Sequence, residues 1–248
     1  MSKQLPGVGS LISESWRLFI SSWNETIKIA IWFLYIGLAY FVISLIIKYV
    51  PVLSPLMMAA VVASVFFSIW AAIRLIQVIL ELVDEKKPTF GKKANKFAID
   101  LILPLMWIGI LQFVIILGGF ILLIIPGIYL AVALMFSQIL LVSEGVRGSK
   151  ALQMSRELIK GRWWSVLWRV FAGGIVFSLG VGILSSIIFL GLSFIVGPDF
   201  LQASKFGQPI DPLIDGTITL LQSIIQAACI SLFVIYQVKI FRALQKTK

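Results

Sequence analysis

Six long apolar runs dominate this chain of 248 residues. A helix needs about 20 largely apolar residues to cross the roughly 30 Å hydrocarbon layer of a membrane, because it rises 1.5 Å per residue. The runs therefore predict an all-α, polytopic membrane protein that forms a single integral membrane domain over residues 1–248. The six predicted transmembrane helices cover residues about 26–48, 55–80, 99–122, 127–144, 165–196 and 214–240.

Composition supports this class and argues against several chemistries. Only 13% of the residues are charged, against about 25% in soluble proteins. The chain has no histidine and a single cysteine, Cys229, so it lacks the commonest general base and cannot form an intrachain disulfide. Neither a nucleophile–base pair nor a phosphate-binding loop is visible, so we predict no catalytic, cofactor-binding or metal-binding residue and no cofactor. The mixed residues before the first apolar run do not fit a cleavable signal peptide.

The basic residues are distributed asymmetrically between the two predicted sides of the membrane. One side holds 19 of the 21 lysines and arginines, and the other holds only Lys48 and Lys205. The positive-inside rule therefore predicts that both termini are cytoplasmic in a multi-pass protein of the cytoplasmic (inner) membrane. The formal net charge of +10 is better explained by anionic lipid on the cytoplasmic face than by nucleic acid, which we do not expect as a partner.

Three amphipathic segments precede odd-numbered spans, at residues about 10–23, 89–98 and 149–163. In the third, apolar and basic residues fall on opposite helix faces, a pattern typical of a helix that lies in the lipid headgroup layer. We predict that all three are cytoplasmic interfacial helices. The candidate residues at the lipid interface are Lys150, Arg156, Lys160, Arg162, Trp163 and Trp164.

The same order of amphipathic segment and helical hairpin recurs three times along the chain. When the first segment is shifted by 140 residues, three of its residues align with identical residues of the third segment. The last of these aligned pairs is Trp23 with Trp163. The second hairpin has a very short connection around Pro126 and Gly127, which predicts tightly paired helices.

Small residues at every fourth position form ladders on the second and fifth predicted spans. Such faces let helix backbones approach closely in a membrane, and the alternative is a pore lining or substrate path. The predicted helix-packing residues are Ala60, Ser64, Ser68, Ala72, Gly174, Ser178, Gly182 and Ser186.

Several polar side chains fall within or at the edges of the spans, where ionisable groups must be paired, solvated or extended to the interface. A structural role, for example an Arg74–Glu144 ion pair, is the simpler interpretation, and a substrate site is the alternative. The intramembrane polar candidates are Arg74, Gln138, Glu144, Arg169, Gln222 and Gln226.

Residues 124–167 carry a pattern of the form PGI…E-G…A…S…L-x-x-G-x-x-W. This pattern resembles a group of bacterial six-helix membrane proteins that includes the membrane domain associated with glycerophosphodiester phosphodiesterases. The resemblance implies the six-helix fold and little about activity, because the phosphodiesterase catalytic domain is not present in this sequence. The matching positions are Pro126, Gly127, Glu144, Gly145, Ala151, Ser155, Leu158, Gly161 and Trp164.

Together these features favour a non-enzymatic membrane protein with an accessory, assembly or lipid-organising role. A transporter or channel for a small solute or lipid is the first alternative, and a cavity that joins the buried glutamines would favour it. A lipid-active membrane enzyme is the second. Membrane lipids are the expected partners, and the sequence leaves open a protein partner or a homo-oligomer.

Overall fold

The computed structural model describes residues 5–50, 52, 54–196 and 212–247. These ranges contain no strand, which confirms the all-α class. Nine α-helices occur in the described chain: α1 (Val8–Ser21), α2 (Trp23–Tyr49), α3 (Ser54–Val83), α4 (Lys92–Leu122), α5 (Ile124–Leu134), α6 (Ser137–Glu144), α7 (Ser149–Ile159), α8 (Trp163–Val196) and α9 (Pro212–Lys246).

Six helical stretches of the described chain are long and apolar enough to cross a membrane, as the sequence predicts. Their outer faces expose large apolar side chains such as Leu103, Phe113 and Leu179. Lipid tails solvate such surfaces, whereas water does not, so this is the surface of a multi-pass membrane protein. The stretches are Trp23–Ile43, Met58–Val83, Lys92–Leu122, Ile124–Glu144, Trp163–Gly191 and Gly216–Lys246.

The segment 89–98 is not a separate amphipathic helix, and that prediction was wrong. Gly91 has a φ of +99°, Lys92 begins α4, and the helix then continues unbroken to Leu122. No glycine or proline interrupts the chain between Lys92 and Leu103, so helical hydrogen bonding propagates into the span. The apolar stripe of 89–98 therefore belongs to the first turns of a spanning helix.

The third amphipathic segment is helical over a shorter range than the predicted 149–163. Helix α7 ends at Ile159, and Lys160 leaves the helical conformation. Gly161 then takes a φ of +80°, which a residue without a Cβ adopts easily, and α8 begins at Trp163. The first segment, predicted at 10–23, forms α1 as a helix distinct from the span that follows.

Helices α4 and α5 form the predicted tight hairpin, but the chain reverses earlier than expected. The only non-helical residue between them is Leu123, which is extended with φ −165° and ψ 152°. Pro126 lies in the first turn of α5, where its missing N–H leaves no hydrogen bond unmade. The two helices approach closely at two glycines: a Cβ added to Gly119 would lie only 3.1 Å from the Gly127 Cα.

The predicted fourth span, 127–144, consists of two helices. Met135 and Phe136 separate α5 from α6, and Phe136 has φ −88° and ψ 0°. Neither residue is a glycine or a proline, so the break has no local sequence signal. Its cause lies in tertiary hydrogen bonds, which are described with the site.

The chain, expected to be a single domain, divides into two compact units. Unit 1 comprises residues 1–26, 72–174 and 232–248, and unit 2 comprises residues 27–71 and 175–231. In unit 1 the rings of Phe136 and Phe241 lie with their centroids 6.0 Å apart, and both side chains are fully buried. Burial of two such large side chains contributes strongly to the stability of this unit.

Unit 2 has a smaller core of its own. Ala30, Phe33, Ala71 and Ala227 form its buried centre, and small side chains there let α2, α3 and α9 approach one another. Aromatic rings pack beside this centre, including Trp32 and Trp70, which meet edge to face at 5.4 Å.

Candidate functional site

Helix α7 buries its apolar face against protein, where the sequence suggested lipid. Ala151, Leu158 and Ile159 are buried, and α7 contacts α4, α5 and α6 within unit 1. The Leu158 side chain is only 5% exposed, so protein covers it. Either lipid or other helices of the protein could cover this apolar face, and here the protein interior covers it.

The polar face of α7 remains at the surface, and it carries two of the six predicted lipid-interface residues. Lys150, Arg156 and Lys160 are exposed, and Trp164 at the start of α8 is 77% exposed. These four side chains form what we call the basic surface. Because the apolar face of α7 is closed by protein, this helix presents its charged face, and the exposed tryptophan comes from the start of α8.

The other two interface candidates bind the protein itself. Arg162 donates hydrogen bonds to the carbonyl oxygen and to the hydroxyl of Thr247, which ties the start of α8 to the end of α9. Trp163 donates its Nε1–H to the carbonyl of Tyr129 at 3.3 Å and stacks on the Tyr129 ring. Both residues are partly buried and position α8.

Ser155 sits at the break between α5 and α6 and explains it. The hydroxyl donates to the carbonyl of Ala133 at 2.8 Å and accepts from the backbone N–H of Phe136 at 3.2 Å. Gln112 donates to the carbonyl of Leu134 at 2.6 Å. A helix break inside an apolar core is tolerated only when its freed backbone groups find partners, and these side chains supply them.

Gln138, an intramembrane polar candidate, belongs to the same group. Its side-chain amide donates to the Gln112 side-chain oxygen at 3.4 Å, while its own side chain is exposed. The interaction links α6 to α4 within unit 1. This is the interhelical hydrogen bonding that is the default role of glutamine in a span.

Arg74 is a fully buried arginine, with an exposed fraction of 1%. Its guanidinium donates to the side-chain oxygen of Gln77 at 2.6 Å and to the carbonyl of Thr89 at 2.9 Å. The ring of Phe90 lies 5.9 Å from the guanidinium carbon, within the range of a cation–π contact. Arg74 thus connects the middle of α3 to the segment that leads into α4.

Glu81 completes this network from one turn further along α3. It accepts hydrogen bonds from the backbone N–H of Thr89 at 2.7 Å and from the Thr89 hydroxyl at 2.8 Å. The Gln77 amide also reaches Glu81, at 3.3 Å. The α3–α4 connection is therefore fixed by charged groups of α3, in hydrogen bonds stronger than neutral ones.

The suggested Arg74–Glu144 ion pair does not form. Glu144 accepts a hydrogen bond from the side-chain amide of Gln245 at 2.7 Å, which ties the end of α6 to α9. Arg74 has its partners on α3 and the following connection, as described above. Both residues bind groups that lie nearer to them in space. Spacing along the sequence could not show which of the possible partners would be nearest.

Arg169 binds the N-terminal segment. Its guanidinium donates to the carbonyls of Pro6 at 2.8 Å and Leu5 at 2.9 Å, and to Ser165 at 2.7 Å. The Tyr236 hydroxyl donates to the Arg169 carbonyl at 2.6 Å, which links α8 to α9. All of these contacts lie within unit 1, so the charge holds elements together.

The small-residue ladder of α8 does not meet another helix of the described chain at its glycines. A Cβ added to Gly174 or Gly182 would find no heavy atom within 4 Å, and Ser178, Gly182 and Ser186 are exposed. The close approach occurs one residue earlier, where Gly173 faces the ring of Tyr236. A packing role for the ladder stays a prediction, and it would need lipid or another chain.

The ladder of α3 is partly buried, and half of it lines a cavity. Ala60 and Ser64 border an apolar cavity of about 440 Å³ within unit 2, between α2 and α3. Ser68 is half-buried and donates to the Ser64 carbonyl at 2.7 Å, and Ala72 is also half-buried. Close packing of α2 on α3 is therefore incomplete at this level.

The glutamines of α9 do not share one environment. Gln222 borders a cavity of about 520 Å³ within unit 2, together with Ser185 and Ser186 of α8. Gln226, one turn later, does not border this cavity, and both side chains are exposed. Gln138 and Arg169 have their hydrogen-bond partners within unit 1.

A further cavity of about 630 Å³ lies within unit 1, between α1, the end of α3 and the end of α9. Sequence reasoning missed it. Lys239 and Glu14 form an ion pair at 3.1 Å, and Arg242 pairs with Asp84 at 2.6 Å. The i, i+3, i+7 spacing of the basic residues on α9 could have indicated a shared helix face at this cavity. It could not have identified their acidic partners, which lie in distant parts of the chain. The lining residues are Pro6, Leu11, Glu14, Leu18, Leu82, Val83, Glu85, Lys239, Arg242, Ala243, Lys246 and Thr247.

Glu85 has an unusual backbone conformation at the edge of this cavity. With φ +57° it is the only non-glycine residue with positive φ in the described chain. The Glu85 N–H bonds to the Leu82 carbonyl at 3.1 Å and the Lys86 N–H to the Glu81 carbonyl at 2.7 Å. This is a Schellman motif, whose left-handed position is usually glycine and costs other residues about 1–2 kcal/mol.

The charge of the chain is concentrated in unit 1. Its sequence ranges hold 18 basic and 8 acidic residues, a formal net charge of +10, whereas unit 2 has 3 of each. Unit 1 also exposes five tryptophans: Trp16, Trp23, Trp107, Trp164 and Trp168. Basic and tryptophan side chains together are typical of the membrane–water interface.

No protein-family model matches the chain, and neither a curated protein nor a solved structure is significantly similar to it.

Proposed function

We propose that this chain is a non-enzymatic, multi-pass protein of a bacterial cytoplasmic membrane that binds anionic lipid and serves as an accessory or lipid-organising component. The basic surface carries the proposal. Lys150 and Arg156 are exposed on a helix whose other face is closed by protein, Lys160 is exposed just after its end, and Trp164 is exposed at the start of α8. Each such basic residue near an anionic surface contributes about 1 kcal/mol to binding.

The orientation follows from the distribution of charge. The basic segments of unit 1, which has a net charge of +10, would lie at the cytoplasmic side, where anionic lipids and the positive-inside rule both favour lysine and arginine. Both termini would then be cytoplasmic, with α1 and α7 at that surface. The resemblance of residues 124–167 to bacterial six-helix membrane proteins supports the compartment.

An accessory role is favoured over catalysis by the way the ionisable groups are used. Arg74, Arg162, Arg169 and Glu144 each bind backbone or side-chain groups of neighbouring elements. A catalytic group needs access to a substrate, whereas these groups are occupied in fixing helix ends and connections. The exposed charges instead form a surface suited to lipid headgroups.

The test compares lipid retention by the purified protein in nanodiscs that contain phosphatidylglycerol and phosphatidylcholine. The triple variant Lys150→Gln, Arg156→Gln, Lys160→Gln should lose about tenfold or more of the preference for phosphatidylglycerol, and raised salt should weaken the wild-type preference. The control is Gln153→Ala, an exposed residue of the same helix. An unchanged preference in the triple variant would refute binding at this surface.

A solute-transport role is the second candidate. The observation in its favour is the cavity of about 520 Å³ within unit 2, which is bordered by Gln222, Ser185 and Ser186. Protein-dependent efflux of a small polar solute from proteoliposomes, abolished by Gln222→Leu and retained in Gln226→Leu, would support it. Equal leakage with and without protein would exclude it for that solute.

A further inference from the structure

Two exposed charged side chains at the border of the cavity between α1, the end of α3 and the end of α9 are not used in ion pairs. Of its charged lining residues, Lys239 is paired with Glu14 and Arg242 with Asp84. In the described structure, Glu85 and Lys246 border the same cavity and pair neither with each other nor with another charged residue. The cavity therefore offers one carboxylate and one ammonium group to a ligand.

From this arrangement we infer that the cavity binds the headgroup of a zwitterionic phospholipid of the phosphoethanolamine type. The ligand phosphate would accept hydrogen bonds from Lys246, and its primary ammonium would donate to Glu85. Charge-assisted hydrogen bonds of this kind are the stronger class and give the site its selectivity. A purely anionic headgroup would leave Glu85 facing a like charge, which disfavours it.

The wall of the cavity indicates a lipid rather than a soluble zwitterion. Leu11 and Leu18 of α1 and Leu82 and Val83 at the end of α3 line it beside the charged groups. A volume of about 630 Å³ is enough for a headgroup and the first part of its acyl chains. An apolar wall next to paired charges suits an amphiphile, and a soluble ligand would leave that wall unfilled.

The lining also favours a primary ammonium over a trimethylated one. Proteins recognise quaternary ammonium groups mainly with aromatic rings, through cation–π contacts. Among the described residues that line this cavity none is aromatic. Glu85 can accept an N–H from ethanolamine but receives none from choline, so phosphatidylethanolamine should bind better than phosphatidylcholine.

Glu85 has no local backbone reason to be a glutamate. Its left-handed conformation is the glycine position of a Schellman motif. A change to glycine should therefore leave the helix end intact while it removes the carboxylate. This separates a binding role of Glu85 from a structural one.

The experiment uses the full chain in detergent with equal amounts of phosphatidylethanolamine, phosphatidylcholine and phosphatidylglycerol, read by native mass spectrometry. Glu85→Gly, Glu85→Gln and Lys246→Gln should each lower occupancy by phosphatidylethanolamine roughly tenfold or more. Glu85→Gly should keep or raise the wild-type thermal aggregation temperature, because it relieves the left-handed conformation. Glu157→Gln and Lys87→Gln, exposed residues outside the cavity, are the matched controls.

Equal occupancy by phosphatidylethanolamine in wild type and the Glu85 variants would overturn the inference, as would equal binding of phosphatidylcholine in the wild type. Soluble phosphoethanolamine is added as a competitor, and displacement of the lipid at equal concentration would show that the site takes a soluble zwitterion instead. The inference rests on the proposed membrane location but not on the basic surface. Loss of phosphatidylglycerol preference in the α7 triple variant is read separately, so either proposal can fail alone.

Discussion

The hydroxyl of Ser155 on α7 lies 2.8 Å from the carbonyl oxygen of Ala133, at the point where α5 stops being helical. The same hydroxyl accepts the N–H of Phe136 at 3.2 Å, so one side chain satisfies both sides of the break. These hydrogen bonds connect the helices that follow Pro126 to the basic segment of α7. It makes α7 part of the scaffold on which the basic surface is carried.

Ser155→Ala should destabilise the protein by about 1–3 kcal/mol, because it leaves the buried Phe136 N–H without a partner. A fall in the thermal aggregation temperature in detergent would measure this. Ser15→Ala is the matched control, since Ser15 is equally buried but only donates to the carbonyl of Leu11 in its own helix. Equal effects of the two changes would mean that the helix break does not depend on Ser155.

Two adjacent glycines of α8 should respond differently to alanine. A Cβ at Gly173 would meet the ring of Tyr236, with the Cζ atom at 2.6 Å, and the ring is held by its hydrogen bond to Arg169. Gly173→Ala should therefore cost about 1–3 kcal/mol through overpacking. Gly174→Ala enters open space and replaces glycine inside a helix, so it should be neutral or stabilising by up to about 1 kcal/mol. Thermal aggregation of the pair checks this, and a larger loss at Gly174 would contradict the described packing.

Replacement of Arg74 should loosen the connection between α3 and α4. Arg74→Leu removes the hydrogen bonds to Gln77 and to the Thr89 carbonyl, and should cost about 1.5–3 kcal/mol. Arg74→Lys should restore little, because an ammonium group lacks the planar fork that reaches both acceptors. Limited proteolysis near residues 84–91 and the aggregation temperature report the loss. Arg147→Leu, at an exposed arginine, should leave both unchanged.

Leu158→Asp tests whether protein or lipid covers the apolar face of α7. Its side chain is buried within unit 1, so a carboxylate there should cost about 3–5 kcal/mol even in neutral detergent. Lys160→Asp, two residues later and exposed, should have little effect on stability. A stable Leu158→Asp protein that fails only to bind anionic vesicles would restore the original headgroup-insertion hypothesis.

Membrane topology can be tested with single cysteines in a Cys229→Ala background. Cysteines at Lys93 and Ser149 should be protected from an impermeant thiol reagent added outside intact cells, because the basic segments are expected in the cytoplasm. A cysteine at Lys205, which lies outside the described residues, should be labelled. Labelling at position 93 or 149 from outside would overturn the proposed orientation.

The sequence by itself determined the elements that depend on one-dimensional quantities. The length of the apolar runs predicted six spanning helices, and the described residues contain six helical stretches of that length and character, one of which is broken into two helices. The Pro126–Gly127 pair predicted a tight hairpin, because these residues change local backbone preference, whereas the helix end before Gly161 was not predicted. Hydrophobic periodicity predicted helical segments at 10–23 and 149–163, and the structure has helices at Val8–Ser21 and Ser149–Ile159.

Only the tertiary structure decided which surfaces these elements use. An amphipathic pattern states that one face of α7 is apolar but does not say whether protein or lipid covers it, and here protein does. Contacts between elements far apart in the chain determine the hydrogen-bond partners of Arg74, Glu144 and Arg169. Such contacts also place the close helix approach at Gly173, one residue before the predicted ladder. Composition and spacing carry no information about which distant groups are nearest. The helix break at Phe136 has the same origin, because its hydrogen-bond partner lies 19 residues away on another helix.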